Sequence, residues 1–109
     1  MARDAGLEEI INDDLESEFE LRQKPMFGGW AWLLDGKLLC GARDDGMLIR
    51  LGKGNDAWAL QIPGIVPMIS RGRIMQGWVR ADSQVYGDDD LRSKLLSCAL
   101  SFVRSLPEK

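Results

Sequence analysis

The chain has 109 residues, a length typical of one domain, and 45% of them are hydrophobic, which is enough to close a single core. Charged residues make up 28% of the sequence, so its composition is that of a folded protein and excludes a disordered chain. The formal net charge is −3, and no apolar run approaches the roughly 18 residues that a membrane-spanning helix needs.

The charges are distributed unevenly along the chain. Residues 1–20 carry eight acidic side chains and one basic one, whereas residues 21–80 carry nine basic and four acidic ones. The acidic N-terminal stretch lacks the apolar segment of a signal peptide. Because Cys40 and Cys98 are also the only cysteines, we expect a cytoplasmic protein with both thiols reduced and no disulfide framework.

Residues 4–14 have the pattern of an amphipathic helix, with apolar side chains at spacings of three and four. Asp4 is suited to cap the N-terminus of this helix. Residues 19–24 then alternate between apolar and polar, which predicts a strand with one exposed face. Pro25 should either end this strand or mark it as an edge strand.

Three further strands are predicted at residues 30–34, 37–42 and 47–51. Asp35-Gly36 lies between the first two and favours a type I′ turn, because both central residues of that turn need a positive φ. Residues 44–46 form the second turn. Connections this short predict an antiparallel meander.

A pair of glycines interrupts the sheet after the meander. We predict a short helix over residues 57–60 with Asn55 as its cap, followed by strands at 68–70 and 74–80. Gly77 lies inside the last of these strands, where a glycine indicates a bulge or a close approach of another backbone.

The C-terminal segment is predicted to form a long amphipathic helix. Asp88-Asp89-Asp90 is suited to its N-terminus, where acidic side chains meet the positive end of the helix dipole. Apolar residues from Leu91 to Leu106 then recur at spacings of three and four. The whole pattern predicts an α+β fold of two layers, with an antiparallel sheet covered by the N- and C-terminal helices, in the order α, β meander, α, β, β, α.

The sequence contains no histidine, which removes Ser-His-Asp and Cys-His catalysis and the common histidine metal sites. Its acidic runs lack the spacing of an EF-hand loop, and Gly46–Lys53 lacks the spacing and the Ser or Thr of a phosphate-binding loop. We therefore predict no catalytic residue, no metal ligand and no cofactor, and a protein that is not an enzyme.

Two stretches remain as a candidate interaction surface. The structural interpretation is that their apolar residues pack, their glycines turn and their arginines lie at a solvated hairpin tip. The functional interpretation is an exposed Met/Phe corner that meets a partner, and a pair of guanidinium groups that binds a carboxylate or another anion. The residues concerned are Met26, Phe27, Gly28, Gly29 and Trp30 in the first stretch, and Arg71, Arg73 and Trp78 in the second.

The same stretches carry a resemblance to a known family. Met26–Gly29, Asp35-Gly36, Met47–Arg50, Gly72–Val79 and Phe102–Pro107 occur in an order that resembles the N-terminal domain of the TfoX/Sxy family. The resemblance covers nearly the whole chain and implies a single domain over residues 1–109 with a secretion-chaperone-like fold. It also implies kinship with regulators of DNA-uptake competence, which act with a transcription activator.

Three functional hypotheses follow. The first is a regulatory or adaptor domain that acts through protein–protein contacts, with a transcription regulator as partner, no membrane partner, and a symmetric homodimer formed through a sheet edge. The second is a nucleic-acid-binding domain that uses the basic central segment. The third is an enzyme with an unfamiliar carboxylate or thiol site. Under the second hypothesis the phosphate contacts are Arg50, Arg71, Arg73 and Arg80, and the stacking residue is Trp30 or Trp78.

Overall fold

The computed structural model describes residues 4–26 and 28–107, so Phe27 of the candidate surface lies outside the described residues. The predicted α+β class, with helices at both ends of an antiparallel sheet, is confirmed. The described elements are α1 (Ala5–Asp14), β1 (Leu21–Met26), β2 (Gly29–Leu34), β3 (Lys37–Arg43), β4 (Gly46–Arg50), α2 (Ala57–Leu60), β5 (Ile65–Ser70), β6 (Arg73–Ala81), α3 (Ser83–Tyr86) and α4 (Asp89–Ser105).

The six strands form one sheet in the order β1-β2-β3-β4-β6-β5, and every neighbouring pair is antiparallel. The predicted meander is therefore confirmed, and the later hairpin adds to its β4 side. Asp35 and Gly36 have φ angles of 52° and 77°, as the predicted type I′ turn requires.

The helix caps agree with the sequence at both ends of the chain. Asp4 Oδ1 accepts a hydrogen bond from the Leu7 N–H at 3.1 Å, and Asp88 Oδ1 accepts one from the Asp90 N–H at 3.0 Å. The predicted cap of α2 is wrong: the Asn55 side chain donates to the Leu51 carbonyl instead, and Asp56 occupies the cap position without a side-chain bond. Helix α3 was not expected from the pattern.

Two strand boundaries also differ from the prediction. β1 begins at Leu21 and not at Phe19, because Glu20 has a φ of 64°, which turns the chain and leaves Phe19 exposed. Pro25 lies within β1, which confirms the alternative that it marks an edge strand, whereas Pro67, expected in a connector, lies within β5. Both strands are edge strands, where a residue without an N–H is tolerated.

One face of the sheet carries the hydrophobic core. A row of paired residues crosses all six strands on this face, and buried side chains from α1, α2, α3 and α4 join it in one cluster. We call it the inner face. The row consists of Gln23, Trp32, Cys40, Ile49, Val79 and Pro67.

A short polar network fixes α1 on the inner face. Asn12 Oδ1 accepts hydrogen bonds from Trp32 Nε1 at 2.9 Å and from Gln23 Nε2 at 3.0 Å. Gln23 Oε1 in turn accepts one from Trp30 Nε1 at 2.7 Å. The fully buried Trp32 therefore satisfies its indole N–H, as a buried tryptophan must.

Candidate interaction surfaces

The opposite face of the sheet, which we call the outer face, carries no helix within residues 4–26 and 28–107. Directly paired residues of antiparallel strands share a face, so the register defines this surface. Its longest row has cationic side chains on β1 and β6 and small side chains on β2 and β3. The row consists of Lys24, Ala31, Gly41, Leu48, Arg80 and Val66.

A second, smaller apolar cluster lies on the outer face. Leu48, Met68 and Trp78 are buried there, and Leu38 and Met75 pack against them half-buried. Trp78 is only 7% exposed although no helix covers it, because strand side chains of the same face surround it. Trp78 of the candidate surface is therefore a packing residue of the outer face.

Several cations of the outer face are already bonded within the domain. Arg43 Nε and an Arg43 terminal nitrogen contact Asp45 at 2.9 and 3.0 Å, and Arg80 donates to the Asp45 carbonyl at 2.9 Å. Arg50 donates to the Leu38 carbonyl at 3.2 Å. Arg22 and Lys24 on β1 differ, because they are exposed and have no ion-pair partner in the described chain.

The glycines of the Met26–Gly29 stretch have structural roles. Gly28 has a φ of 71° in the β1–β2 turn. A Cβ at Gly29 would overlap the Ala42 carbonyl and lie 2.9 Å from Arg43 Cγ, so the arginine stem packs across this position. Met26 is half-buried, as is Trp30. The structural interpretation therefore accounts for the glycines of this stretch.

Arg71 and Arg73 flank the turn of the β5–β6 hairpin. Both are exposed, and neither has an ion-pair partner among the residues that the structure describes. Ile69 and Ile74 pair across the hairpin just before the turn and are exposed as well. We call residues 69–74 the hairpin tip.

The two candidate stretches do not form one surface. Because neighbouring strands alternate in direction, the Met26–Gly29 turn lies at the end of the sheet opposite the Arg71-Gly72 turn. Met26 and Trp30 lie on β1 and β2 at one side of the sheet, whereas Arg73 and Trp78 lie on β6, next to the opposite edge strand. An interaction at either stretch therefore leaves the other free.

A groove that the sequence did not indicate lies between the end of α1 and the start of β1. It has a volume of about 790 Å³ and contains the exposed Phe19. The sequence pattern placed Phe19 in a strand, and only the turn at Glu20 brings it to the groove. We call this the α1–β1 groove; its lining is Ser17, Glu18, Phe19, Glu20, Leu34, Asp35, Lys37, Val103, Arg104 and Leu106.

Each edge strand of the sheet carries a proline at a position that faces away from its neighbouring strand. The Glu20 carbonyl accepts from the Asp35 N–H, so alternate residues from Glu20 onward face β2 and Pro25 faces outward. The Gly64 carbonyl accepts from the Asp82 N–H, which places Pro67 outward on β5 by the same rule. Each free edge therefore lacks one backbone donor, a common protection against edge pairing.

The described residues offer little for bond-making chemistry. Complete burial raises the pKa of the Cys40 thiol well above its ordinary value, which keeps it protonated and unreactive. Within the described ranges, no three side chains among His, Cys, Asp and Glu form a group that could hold a metal ion. None of the described helices combines the length and apolar character needed to cross a membrane.

Comparison with protein families identifies a match over most of the chain. A family model described as the TfoX N-terminal domain matches residues 13–103, most of the chain and every strand of the sheet. Neither the comparison with curated proteins nor that with solved structures finds a match.

Proposed function

The chain belongs to the TfoX N-terminal domain family, and from that premise we propose that it is a non-catalytic regulatory or adaptor domain acting through protein–protein contacts. The family is not a known family of enzymes. We further propose that residues 1–109 act as one domain in the cytoplasm, and that the partner is a transcription regulator.

The observation that carries this proposal is the helix-free outer face. An antiparallel sheet can leave one face to water, and such a face is then usually polar along alternate residues. Here Leu33, Leu38 and Met75 are half-buried instead, beside the unpaired cations Arg22 and Lys24. An apolar centre with a charged border is typical of protein interaction sites.

The charges of the outer face favour an acidic partner. Arg22 lies directly opposite Leu33, and Lys24 lies opposite Ala31, so both cations stand beside the apolar centre. A carboxylate-bearing partner that covers this centre pairs with both cations at its border. Rim charges of this kind mainly guide association and set specificity.

The geometry gives less support to nucleic-acid binding. Stacking on a base needs an open aromatic face, but Trp78 is buried, and Trp30 is half-buried and packs against the core cluster of the inner face. Arg50 and Arg80 are bonded to backbone carbonyls. Of the predicted phosphate contacts, this leaves Arg71 and Arg73 fully available.

Photo-crosslinking in the native cell tests the proposal. A photoreactive amino acid replaces Leu33 on the outer face or, as the matched control, the exposed Ser93 on α4. We expect a discrete adduct from Leu33 that protease removes and nuclease does not, and none from Ser93. Equal yields from both positions, or an adduct that nuclease removes, would contradict the proposal.

A further inference from the structure

Large exposed apolar side chains occur in two regions of the described chain. Phe19 is 87% exposed at the α1–β1 groove. Ile69 and Ile74 are 58% and 64% exposed on the hairpin tip, and Val66, three residues before Ile69 on β5, is exposed in the outer-face row. Exposed apolar groups that cluster in this way mark surfaces that contact another protein.

Backbone strain occurs in the same two regions. Among the described residues, the non-glycine positions with positive φ are Glu20 at 64°, Asp35 at 52° and Arg71 at 53°. Glu20 and Asp35 line the groove, and Arg71 is in the turn of the hairpin tip. This conformation costs Glu20 and Arg71 about 1 kcal/mol each, whereas Asp35 adopts it as its type I′ turn requires. Such residues concentrate at functional sites, where the side chain itself is needed.

The two regions have opposite free charges. Arg71 and Arg73 have no ion-pair partner in the described chain. In the groove, Glu20 is likewise without an ion pair in the described chain, whereas Asp35 is paired with Lys37 at 3.9 Å. The cations of the groove are committed, because Lys37 is buried and bonds the Leu106 carbonyl, and Arg104 pairs with Glu18.

The two regions lie at the same end of the sheet and at opposite edges. The Asp35-Gly36 turn and the Arg71-Gly72 turn both follow strands that run toward this end. β6 pairs with β4 only from Trp78 onward, so residues 73–76 and their partners on β5 project beyond β4. At about 3.3 Å per residue, the projection is about 13 Å.

From these observations we propose that the partner at this end is a second copy of the chain. A two-fold axis through this end of the sheet places the hairpin tip of each copy in the α1–β1 groove of the other. Arg71 and Arg73 then meet the unpaired Glu20, with Asp35 beside it, and the isoleucine pair covers Phe19. A two-fold contact is self-complementary, as this arrangement requires. The contact uses no residue of the outer-face centre and does not rest on the proposed function.

Sedimentation equilibrium of the purified chain tests the contact. We expect a dimer whose dissociation constant rises at least tenfold when Arg71→Glu and Arg73→Glu are combined. The matched control combines Arg22→Glu and Lys24→Glu, two exposed cations with the same spacing on β1, and should change the constant less than twofold. A monomeric parent chain, or equal effects of the two double variants, would overturn the proposal.

A charge exchange separates a broken contact from a misfolded variant. Glu20→Arg alone should also weaken the dimer, because the new arginine at position 20 of one copy then faces Arg71 and Arg73 of the other. An equimolar mixture of the Glu20→Arg chain and the Arg71→Glu, Arg73→Glu chain should form heterodimers, since both contacts then join opposite charges. Native mass spectrometry reads the heterodimer directly. Two folded variants that remain monomeric when mixed would refute the reciprocal arrangement.

Discussion

Arg92 joins three parts of the molecule through one guanidinium group. It bonds Asp14 at the end of α1 at 2.5 Å, contacts Asp89 at 2.9 Å and donates to the Tyr86 carbonyl at 2.7 Å. The hydrogen bond that Arg92 donates to Asp14 raises the pKa of Arg92 above its ordinary value, against the opposing effect of burial. The helical pattern placed Arg92 on α4, but its partner lies 78 residues away and has no signature in the sequence.

Replacing Arg92 with methionine should lower the free energy of unfolding by about 2 kcal/mol. The Arg92 side chain is largely buried and donates hydrogen bonds to Asp14 and to the Tyr86 carbonyl. Methionine cannot donate, so both acceptors lose these bonds, which costs free energy. Urea denaturation measures the change. Arg104→Met is the matched control on the same helix. Arg104 is more exposed than Arg92, so losing its pair with Glu18 should lower the free energy of unfolding by less than about 1 kcal/mol. Equal losses would contradict this account.

Cys40 predicts how stability depends on alkaline pH. Burial raises the pKa of its thiol in the folded chain, whereas in the unfolded chain the thiol ionises at an ordinary value near 9.0. The unfolded state therefore loses a proton first, and stability falls as the pH rises above about 9. The slope from this group is about 1.4 kcal/mol per pH unit.

Cys40→Ala should remove this slope while lowering stability at neutral pH, because it leaves a small cavity. Burial also raises the pKa of Tyr86, so this group too lowers stability at alkaline pH. Its contribution is the same in the parent chain and in the Cys40→Ala variant. Urea midpoints between pH 8 and pH 10 measure the difference. Parallel curves for the two proteins would show that the Cys40 thiol does not control the alkaline loss.

At the scale of elements, local signals predicted most of the fold. Asp35-Gly36 defines its hairpin because the turn chemistry lies within two residues, and the α4 stripe defines a helix face over four turns. The β1 boundary was wrong because alternation continues through Phe19 while the backbone turns at Glu20. The predicted β5 was too short, because Pro67 was assigned to a connector. A proline fits within a strand only at the edge of a sheet, and the position of a strand at an edge depends on the whole sheet.

Gly77 shows how a close backbone approach joins β6 to the segment after β4. Its φ is 84°, and a Cβ there would lie 2.6 Å from both Gly52 C and Lys53 N. The Leu51 N–H donates to its carbonyl at 2.7 Å. The expectation of a bulge or a close approach at this position is confirmed.

Gly77→Ala should lower the free energy of unfolding by about 3 kcal/mol, from backbone strain and overpacking together. Gly54→Ala is the matched control, because its φ of 87° brings the same strain and no atom lies within 4 Å of the added Cβ. It should cost about 1 kcal/mol. Thermal or urea unfolding of the two variants gives the comparison, and a similar loss in both would remove the close approach as the cause.

At the scale of the whole molecule, the sequence predicted only part of the candidate sites. Arg71 and Arg73 stand out because they are close together in sequence. The α1–β1 groove does not, since Phe19, Asp35 and Leu106 meet only after the sheet and α4 are in place. The outer face was missed for the same reason: its rows join single residues from six strands, and only the register shows which face each residue occupies.

The folded domain separates its charges between its two layers. The acidic residues of the N-terminal region lie on and after α1, on the helical side, whereas the unpaired Arg22 and Lys24 lie on the outer face. The net charge of −3 conceals this separation. An acidic partner is therefore attracted to one layer and repelled by the other, which orients its approach.

The most direct test of the outer face combines crosslinking with charge reversal. A photoreactive residue at position 33 reports contact, and Arg22→Glu with Lys24→Glu reverses the adjacent charges. The account predicts that this double variant lowers the yield of the protein adduct at least tenfold in the native cell, whereas Arg71→Glu with Arg73→Glu leaves it within twofold. An adduct whose yield is unchanged by reversal of Arg22 and Lys24 would contradict the claim that this face binds an acidic protein.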